Sequence, residues 1–202
     1  MTKDLGDILI DQIKTLPFFD KYAGVVKTIS MSSNDGDRSY VKRFPVECNI
    51  SPTQCESRYK DLVPNNKNKS IIYLEDKGVS FVSQEGAWLR FSANYDIISW
   101  LNMPALGFTD CSYSAIAMGG MIKRLIKTPF AVGNYQRIMV TNINEKSKQD
   151  NPFSKYSYSE EVNQFLLYPY DYFVLNVTLE FYVNSTCFTE EALQPNLPCL
   201  TQ

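Results

Sequence analysis

"DYFVLNVTLEFYVN", residues 171–184, alternates apolar and polar side chains along its length. Phe173, Leu175, Val177, Leu179, Phe181 and Val183 fall on one face, while Asn176, Thr178, Glu180 and Tyr182 take most of the other. Successive strand side chains point to opposite faces, so the stretch predicts one long strand with one buried face. Such a strand needs a long partner. "YQRIMVTNI", residues 135–143, supplies one, with Ile138, Val140 and Asn142 on a common face. Between the two lies "NEKSKQDNPFSKYSYSEEVN", residues 144–163, polar and without periodicity. Strands at 136–144 and 171–184 are therefore expected to form a long hairpin across a polar insertion, and insertions of that length in a compact domain commonly carry function.

The rest of the chain supplies more strands and a few helices. Residues 3–16 carry an apolar stripe of Leu5, Ile8, Leu9, Ile13 and Leu16, which predicts an amphipathic helix ended by Pro17. "GVVKTISM" and "SYVKRFPVECNI" read as two strands turned at Asp35-Gly36. Pro45 has no N–H for a ladder and places the second of them at an edge or bulge. "SPTQCESRYKDL" predicts a short helix with Ser51 as cap and Pro52 in its first turn. Residues 70–101 read as a meander: "SIIYL", turn "EDKG", "VSFV", turn "SQEG", then "AWLRFSANYDIISWL". In its last strand Leu89, Phe91, Tyr95 and Ile97 alternate with Arg90, Ser92, Asn94 and Asp96, the pattern of a sheet wet on one side. "DCSYSAIAMGGMIKRLIK" predicts a central helix capped by Asp110 or Ser112, with the stripe Ala115, Met118, Ile122 and Leu125 facing inward. Each of Gly119 and Gly120 costs a helix roughly 1 kcal/mol, so a close approach by a neighbour is expected there.

The pattern predicts an α+β fold. A mainly antiparallel twisted sheet carries the N-terminal and central helices, with a long hairpin and an extended C-terminal arm. Residues 1–187 read as a single domain, and 188–202, with Pro195 and Pro198, as the arm.

Composition removes several functions. The chain of 202 residues has no histidine, so a Ser–His or Cys–His nucleophile and a histidine metal site are excluded. Cys48, Cys55, Cys111, Cys187 and Cys199 form no C-x-x-C pair, and their odd number suits reduced thiols better than a disulfide framework. Net charge is −2 and the sequence pI about 5.3, which gives no electrostatic footprint for wrapping nucleic acid. No apolar run approaches the ~18 residues of a membrane helix, and the N-terminal stretch reads poorly as a signal peptide. The sequons at Asn49, Asn68, Asn176 and Asn184 read as chance matches, Asn176 lying inside a predicted strand. No cofactor motif occurs. The acid pairs Glu160-Glu161 and Glu190-Glu191 sit in polar segments with no apolar surroundings to shift a pKa, so an enzyme is not expected.

Three stretches carry a resemblance: "LGDILIDQIKTLPFF" (5–19), "YLEDKGVSFVSQEGAWLRFSANYDIISWLN" (73–102) and "YPYDYFVLNVTLEFYV" (168–183). Their order of helix, strands and closing long strand resembles neck proteins of tailed bacteriophages, the tail-terminator and head–tail connector subunits. The resemblance implies a structural virion protein that forms a homo-oligomeric ring and docks on adjoining portal, neck or tail proteins. DNA would pass through its lumen only as cargo, and the chain would be made in the host cytoplasm. The alternative is a carbohydrate- or protein-binding module of a phage fibre or adhesin, with exposed tyrosines as stacking surfaces.

Within either reading the insertion is the expected interface. Lys146, Lys148 and Lys155 oppose Asp150, Glu160 and Glu161 in composition, so one copy's basic end is expected to meet the next copy's acidic end. Phe153, Tyr156 and Tyr158 join no stripe of their own and are expected to be exposed on a monomer and buried between copies.

Overall fold

A computed structural model describes residues 2–35, 38–47, 61–109, 112–127, 130–132, 135–148 and 150–188. Its helices are α1 (Thr2–Ile13), α2 (Ser112–Leu125) and the single turn α3 (Glu160–Asn163). Its strands are β1 (Lys21–Asp35), β2 (Arg38–Glu47), β3 (Ser70–Glu85), β4 (Trp88–Asn102), β5 (Phe130–Val132), β6 (Tyr135–Glu145) and β7 (Tyr170–Asn184). They make one mixed sheet in the order β2-β1-β3-β4-β7-β6-β5. The β1–β3 ladder is parallel and the others are antiparallel, so the fold is α+β with a mixed sheet.

The opening stretch is β7, placed between β4 and β6. Every residue of β4 from Trp88 to Asn102 has a partner on β7, and β6 answers on the far side as the expected hairpin arm. Its inward set, from Phe173 to Val183 in steps of two, is buried without exception. These side chains define the first face of the sheet. There they meet Leu5, Leu9, Ile10 and Ile13 of α1 and Ala117, Met121 and Leu125 of α2 in the main core.

The meander reading needs correction. "EDKG" does not turn the chain; β3 runs straight through it to a single tight turn at Gly86-Ala87. Gly78 does adopt a positive φ of 105°, but in a bulge, where the Asp76 carboxylate accepts the Gly78 N–H at 2.8 Å. Turn chemistry and bulge chemistry call for the same residues, and continued pairing with β4 decides between them. Pro45 lies in β2, at the sheet edge, as expected.

The one-sided sheet also needs correction. Toward the lower end of the strands, where β4 ends and β7 begins, both faces are covered. Ile71, Tyr73, Ile98, Trp100 and Val174 on the second face form another core with Phe153 and Tyr156 of the insertion. Toward the upper end, at the β3–β4 turn, the second face is open and polar.

Two helical expectations shift as well. In α2 the buried positions are Ser114, Ala117, Met121 and Leu125, while Ala115 is exposed. A Cβ on Gly119 would meet nothing within 4 Å, so no close approach exists at that residue. The close approach lies at Gly6, where a Cβ would fall 2.4 Å from Val25 Cγ2 and where α1 rests on β1. In β6 a second bulge rotates Asn142 outward and brings Ile143 to the core in its place. The helix expected at 51–62 lies almost wholly outside the described residues, as do Gly36, Cys48, Cys55, Asp110, Cys111, Cys199 and residues 189–202 of the expected arm.

Two measurements check this packing. Val177→Asp puts a charge into the main core, a change large enough to abolish folding, whereas Thr178→Asp on the other face leaves a folded domain by circular dichroism. Equal damage from both would overturn the face assignment. Gly119→Ala is expected to raise stability by about 0.5–1 kcal/mol in urea unfolding, and Gly6→Ala to lower it by about 1–2 kcal/mol through overpacking.

Candidate functional site

The insertion expected to reach a neighbouring copy folds back on its own sheet. Hydrogen-bond register places Glu75 of β3 opposite Asp96 of β4, Asp96 opposite Asn176 of β7, and Asn176 opposite Asn144 of β6. These four residues form one row across the second face. Adjacent carboxylates there repel one another and lose hydration, so they need cations and donors close by.

The insertion brings them. Lys146 Nζ donates to Asp96 Oδ2 at 2.6 Å, and Asn176 Nδ2 donates to Asp96 Oδ1 at 2.9 Å. Lys77, two residues beyond Glu75 on the same strand, bridges Glu75 Oε2 at 3.0 Å and Asp96 Oδ2 at 3.2 Å. Lys155 pairs with Glu75 Oε2, and the Tyr156 hydroxyl donates to Glu75 Oε1 at 2.8 Å. Further down, Lys148 Nζ meets Asp171 Oδ1 at 2.6 Å. Burial pushes the Asp96 carboxyl up, but the hydrogen bonds from Lys146, Asn176 and Lys77 outweigh it and hold the group below its usual range. Burial likewise works to lower Lys77, and Glu75 and Asp96 outweigh it, leaving the ammonium above its ordinary value.

Apolar contacts complete the closure. Phe153 is 2% exposed and Tyr156 7%, and Phe153 packs edge-on against Tyr172 at 5.4 Å between centroids. Trp100 stacks on Tyr170 at 5.5 Å and donates its indole N–H to the Phe165 carbonyl at 2.6 Å. Ser157 then reaches the outer edge of the sheet, donating its N–H to the Arg43 carbonyl at 2.9 Å and accepting the Arg43 N–H on Oγ at 3.0 Å. The segment 146–170 is thus a strap from β6 across the second face to β2 and back to β7.

This corrects the premise of the expected interface. Phe153 and Tyr156 are interior residues, and Tyr158 is half-buried against the second core. Lys146, Lys148 and Lys155 neutralise carboxylates of their own sheet. Asp150, Glu160 and Glu161 remain on the surface and are not brought to the lysines. Glu75, Asp96 and Asp171 were not anticipated as partners. Asp96 stood in a row that read as wet, Glu75 in the expected turn "EDKG", and Asp171 at the head of the long strand, outside its polar row.

Two grooves flank the strap. One of about 590 Å³ runs beside Phe153, Tyr156, Tyr158, Asn163 and Gln164. The other, of about 430 Å³, lies between Tyr158, Glu161 and Val162 of the strap and Val41 and Phe44 of β2. Burial raises the Tyr73, Tyr156 and Tyr158 hydroxyls far above their ordinary pKa, so they stay neutral, and that of Tyr156 donates to Glu75. The Tyr73 hydroxyl lies beside Tyr156 without reaching hydrogen-bond geometry, and neither Tyr73 nor Tyr158 has a hydrogen-bond partner for its hydroxyl among the described residues. Glu75 and Asp96 already accept from lysines, which suits a clamp better than general-base work. Among the described residues no group of three or more Asp, Glu or Cys side chains is placed to hold a metal ion.

The clamp sets a pH window. A depressed Asp96 contributes stability that is fully present above about pH 4, the ordinary carboxylate range, and is lost as pH falls through its lowered value. A raised Lys77 contributes below its ordinary value of 10.5, and that contribution is lost as pH rises through the raised one. Asp96→Asn should flatten the acid limb of a urea-unfolding series across pH. Glu75→Ala, which strands Lys77, Lys155 and the Tyr156 hydroxyl, should cost about 3 kcal/mol and open segment 146–170 to limited proteolysis. Lys155→Met, at a partly exposed position, should cost about 1 kcal/mol or less.

No protein-family model matches the chain, and no curated protein is found similar to it.

Proposed function

We propose that the chain is a structural subunit of a tailed-bacteriophage virion, a ring-forming neck or tail protein that joins portal or head to tail and lines part of the DNA conduit. The observation that carries this reading is the placement of exposed apolar side chains at opposite ends of the long strands. Beside the upper turn, Phe81 is 59% exposed and Val82 is exposed with it. At the lower end, Leu167 is 67% and Tyr168 70% exposed, with Phe108 nearby through the Tyr168 hydroxyl bond to the Thr109 carbonyl. A strand of 15 residues spans about 50 Å. A subunit stacked between two neighbours needs one contact at each end of that span, and large exposed apolar residues mark such contacts.

Ring closure then falls to the flanks, by head-to-tail contact of one copy with the next. The strap covers the β2 edge at Arg43, so backbone pairing between copies is less favoured there than side-chain docking. Asp150, Glu160 and Glu161, on the outer surface of the strap, remain available for that docking. The net negative charge suits a channel through which DNA must slide without being held.

Phe81→Asp at the upper end and Leu167→Asp at the lower are the test. Both variants should keep a native circular dichroism spectrum. When the chain is co-produced with its adjoining virion proteins, each should be excluded from ring-sized species in mass photometry and negative-stain images. A particle map with a single copy of the chain, or with the chain outside the neck and tail, would sink the proposal. The alternative, a binding module of a fibre or adhesin, is favoured by a separate feature of the second face.

A further inference from the structure

Among the described residues, neither helix nor strap covers the upper part of the second face. Arg90 of β4 and Glu180 of β7 pair across it at 2.5 Å, and Thr178 donates to Asn94 at 2.8 Å. Beyond them Glu85, Trp88, Gln136, Arg137 and Tyr182 line a shallow pocket of about 280 Å³. Trp88 is opposite Asn184 and Tyr182 opposite Arg90, so the two aromatic side chains are diagonal neighbours on one face.

Gln136 and Arg137 are consecutive in β6, and consecutive strand residues normally point to opposite faces. Here both line the same pocket. The ladder with β7 shifts register between Gln136 and Met139, and Arg137 takes a φ of +49°, the one positive value outside glycine among the described residues. A bulge with a non-glycine residue in the left-handed region is strained, and such devices re-aim side chains beside functional sites. Regular alternation from Gln136 would put Ile138 on the second face; the extra residue turns Ile138 into the main core and leaves Arg137 exposed beside Gln136. The indole N–H of Trp88, the Gln136 amide and the Arg137 guanidinium make no hydrogen bond or ion pair with other described residues. Glu85 is held loosely, its Oε1 lying 3.4 Å from the Tyr182 hydroxyl and 4.0 Å from Arg90.

We propose that this pocket binds a pyranose ring of a saccharide, with the apolar C–H face of the ring on Trp88 and its hydroxyls held by Glu85, Gln136 and Arg137. A sugar ring is apolar on its faces and hydroxylated at its rim. The pocket offers the complement: an aromatic plane, a carboxylate acceptor, an amide that both donates and accepts, and a fork of guanidinium donors. Its volume stands at the lower limit of ligand pockets, about 300 Å³, and suits a short saccharide. A nucleobase also stacks on aromatic rings, but nucleic acid adds phosphates that need cations. On this face Glu85 and Glu180 stand beside the arginines, and Arg90 is committed to Glu180. The inference does not rest on the ring assembly and stands or falls separately.

Fluorescence quenching tests it, because the two tryptophans differ. Trp100 is fully buried and hydrogen-bonded, whereas Trp88 is 37% exposed and open to acrylamide. Cellotetraose, chitotetraose, tetragalacturonate and an oligothymidylate are titrated in turn against acrylamide quenching, with calorimetry in parallel. At least one tetrasaccharide should protect Trp88 in a saturable way. Trp88→Ala should abolish binding, and the exposed Arg137→Ala, which spares the core, should weaken it about tenfold, the loss of one charge-assisted hydrogen bond. A preference for tetragalacturonate assigns Arg137 to a sugar carboxylate, and a preference for the neutral chains assigns it to hydroxyls. Protection by none of the three tetrasaccharides, protection by oligothymidylate alone, or unchanged binding in Arg137→Ala overturns the proposal.

Discussion

The ladder between β4 and β7 is unbroken from Trp88 to Asn102, and the rest of the molecule is arranged around it. Two paired strands of this length present two long faces, and neither is stable with its apolar rows in water. On the first face α1 and α2 lie over the inward residues of β7 and make the main core. On the second face the lower half carries Ile98, Trp100 and Val174, which also need cover, and no helix of the described residues packs there. The strap supplies that cover. Its aromatic residues follow from the strand residues beneath them.

Covering the second face creates an electrostatic demand. Glu75 and Asp96 sit side by side under the strap because the register of β3 and β4 puts them opposite each other. Left alone, two buried carboxylates would repel each other and force the strap open. Lys146 and Lys155 enter from the strap and Lys77 from β3, so closing the strap and neutralising the row are one event. The same lysines would be ordinary solvated charges on an unfolded insertion. Their value to the fold arises only in place, where Coulombic attraction acts across partly desolvated surroundings.

The division of the second face into a closed lower half and an open upper half separates the two proposed roles. Phe81, Val82, Leu167 and Tyr168 stand toward the ends of the strands, where a stacked neighbour would meet them. The aromatic pocket lies on the open face and owes its shape to a bulge in β6. The two readings therefore use different surfaces, and a ring subunit that also touches a saccharide involves no conflict of geometry.

Local pattern was enough for several elements that meet the main core, though it misplaced the buried face of α2. The alternation of β7, the stripe of α1, the edge position of Pro45 and the pairing of the two arms across the insertion were all legible in residue order. Periodicity encodes which side of an element is apolar, and the core sorts elements by that alone. What escaped was everything decided by register or by a second layer. "EDKG" has the composition of a turn, and only the ladder with β4 makes it a bulge. Asp96 continues a polar row that looks wet from the sequence, because alternation cannot show that residues fifty positions away will fold over it. Phe153 and Tyr156 look unattached for the same reason. Their partners, Trp100, Tyr172, Tyr73 and Glu75, come from three different strands and meet only after the sheet has formed. Residue order determined the sheet and its first face. Tertiary structure decided the second, because burying a charged row depends on partners distant in sequence that no local period records.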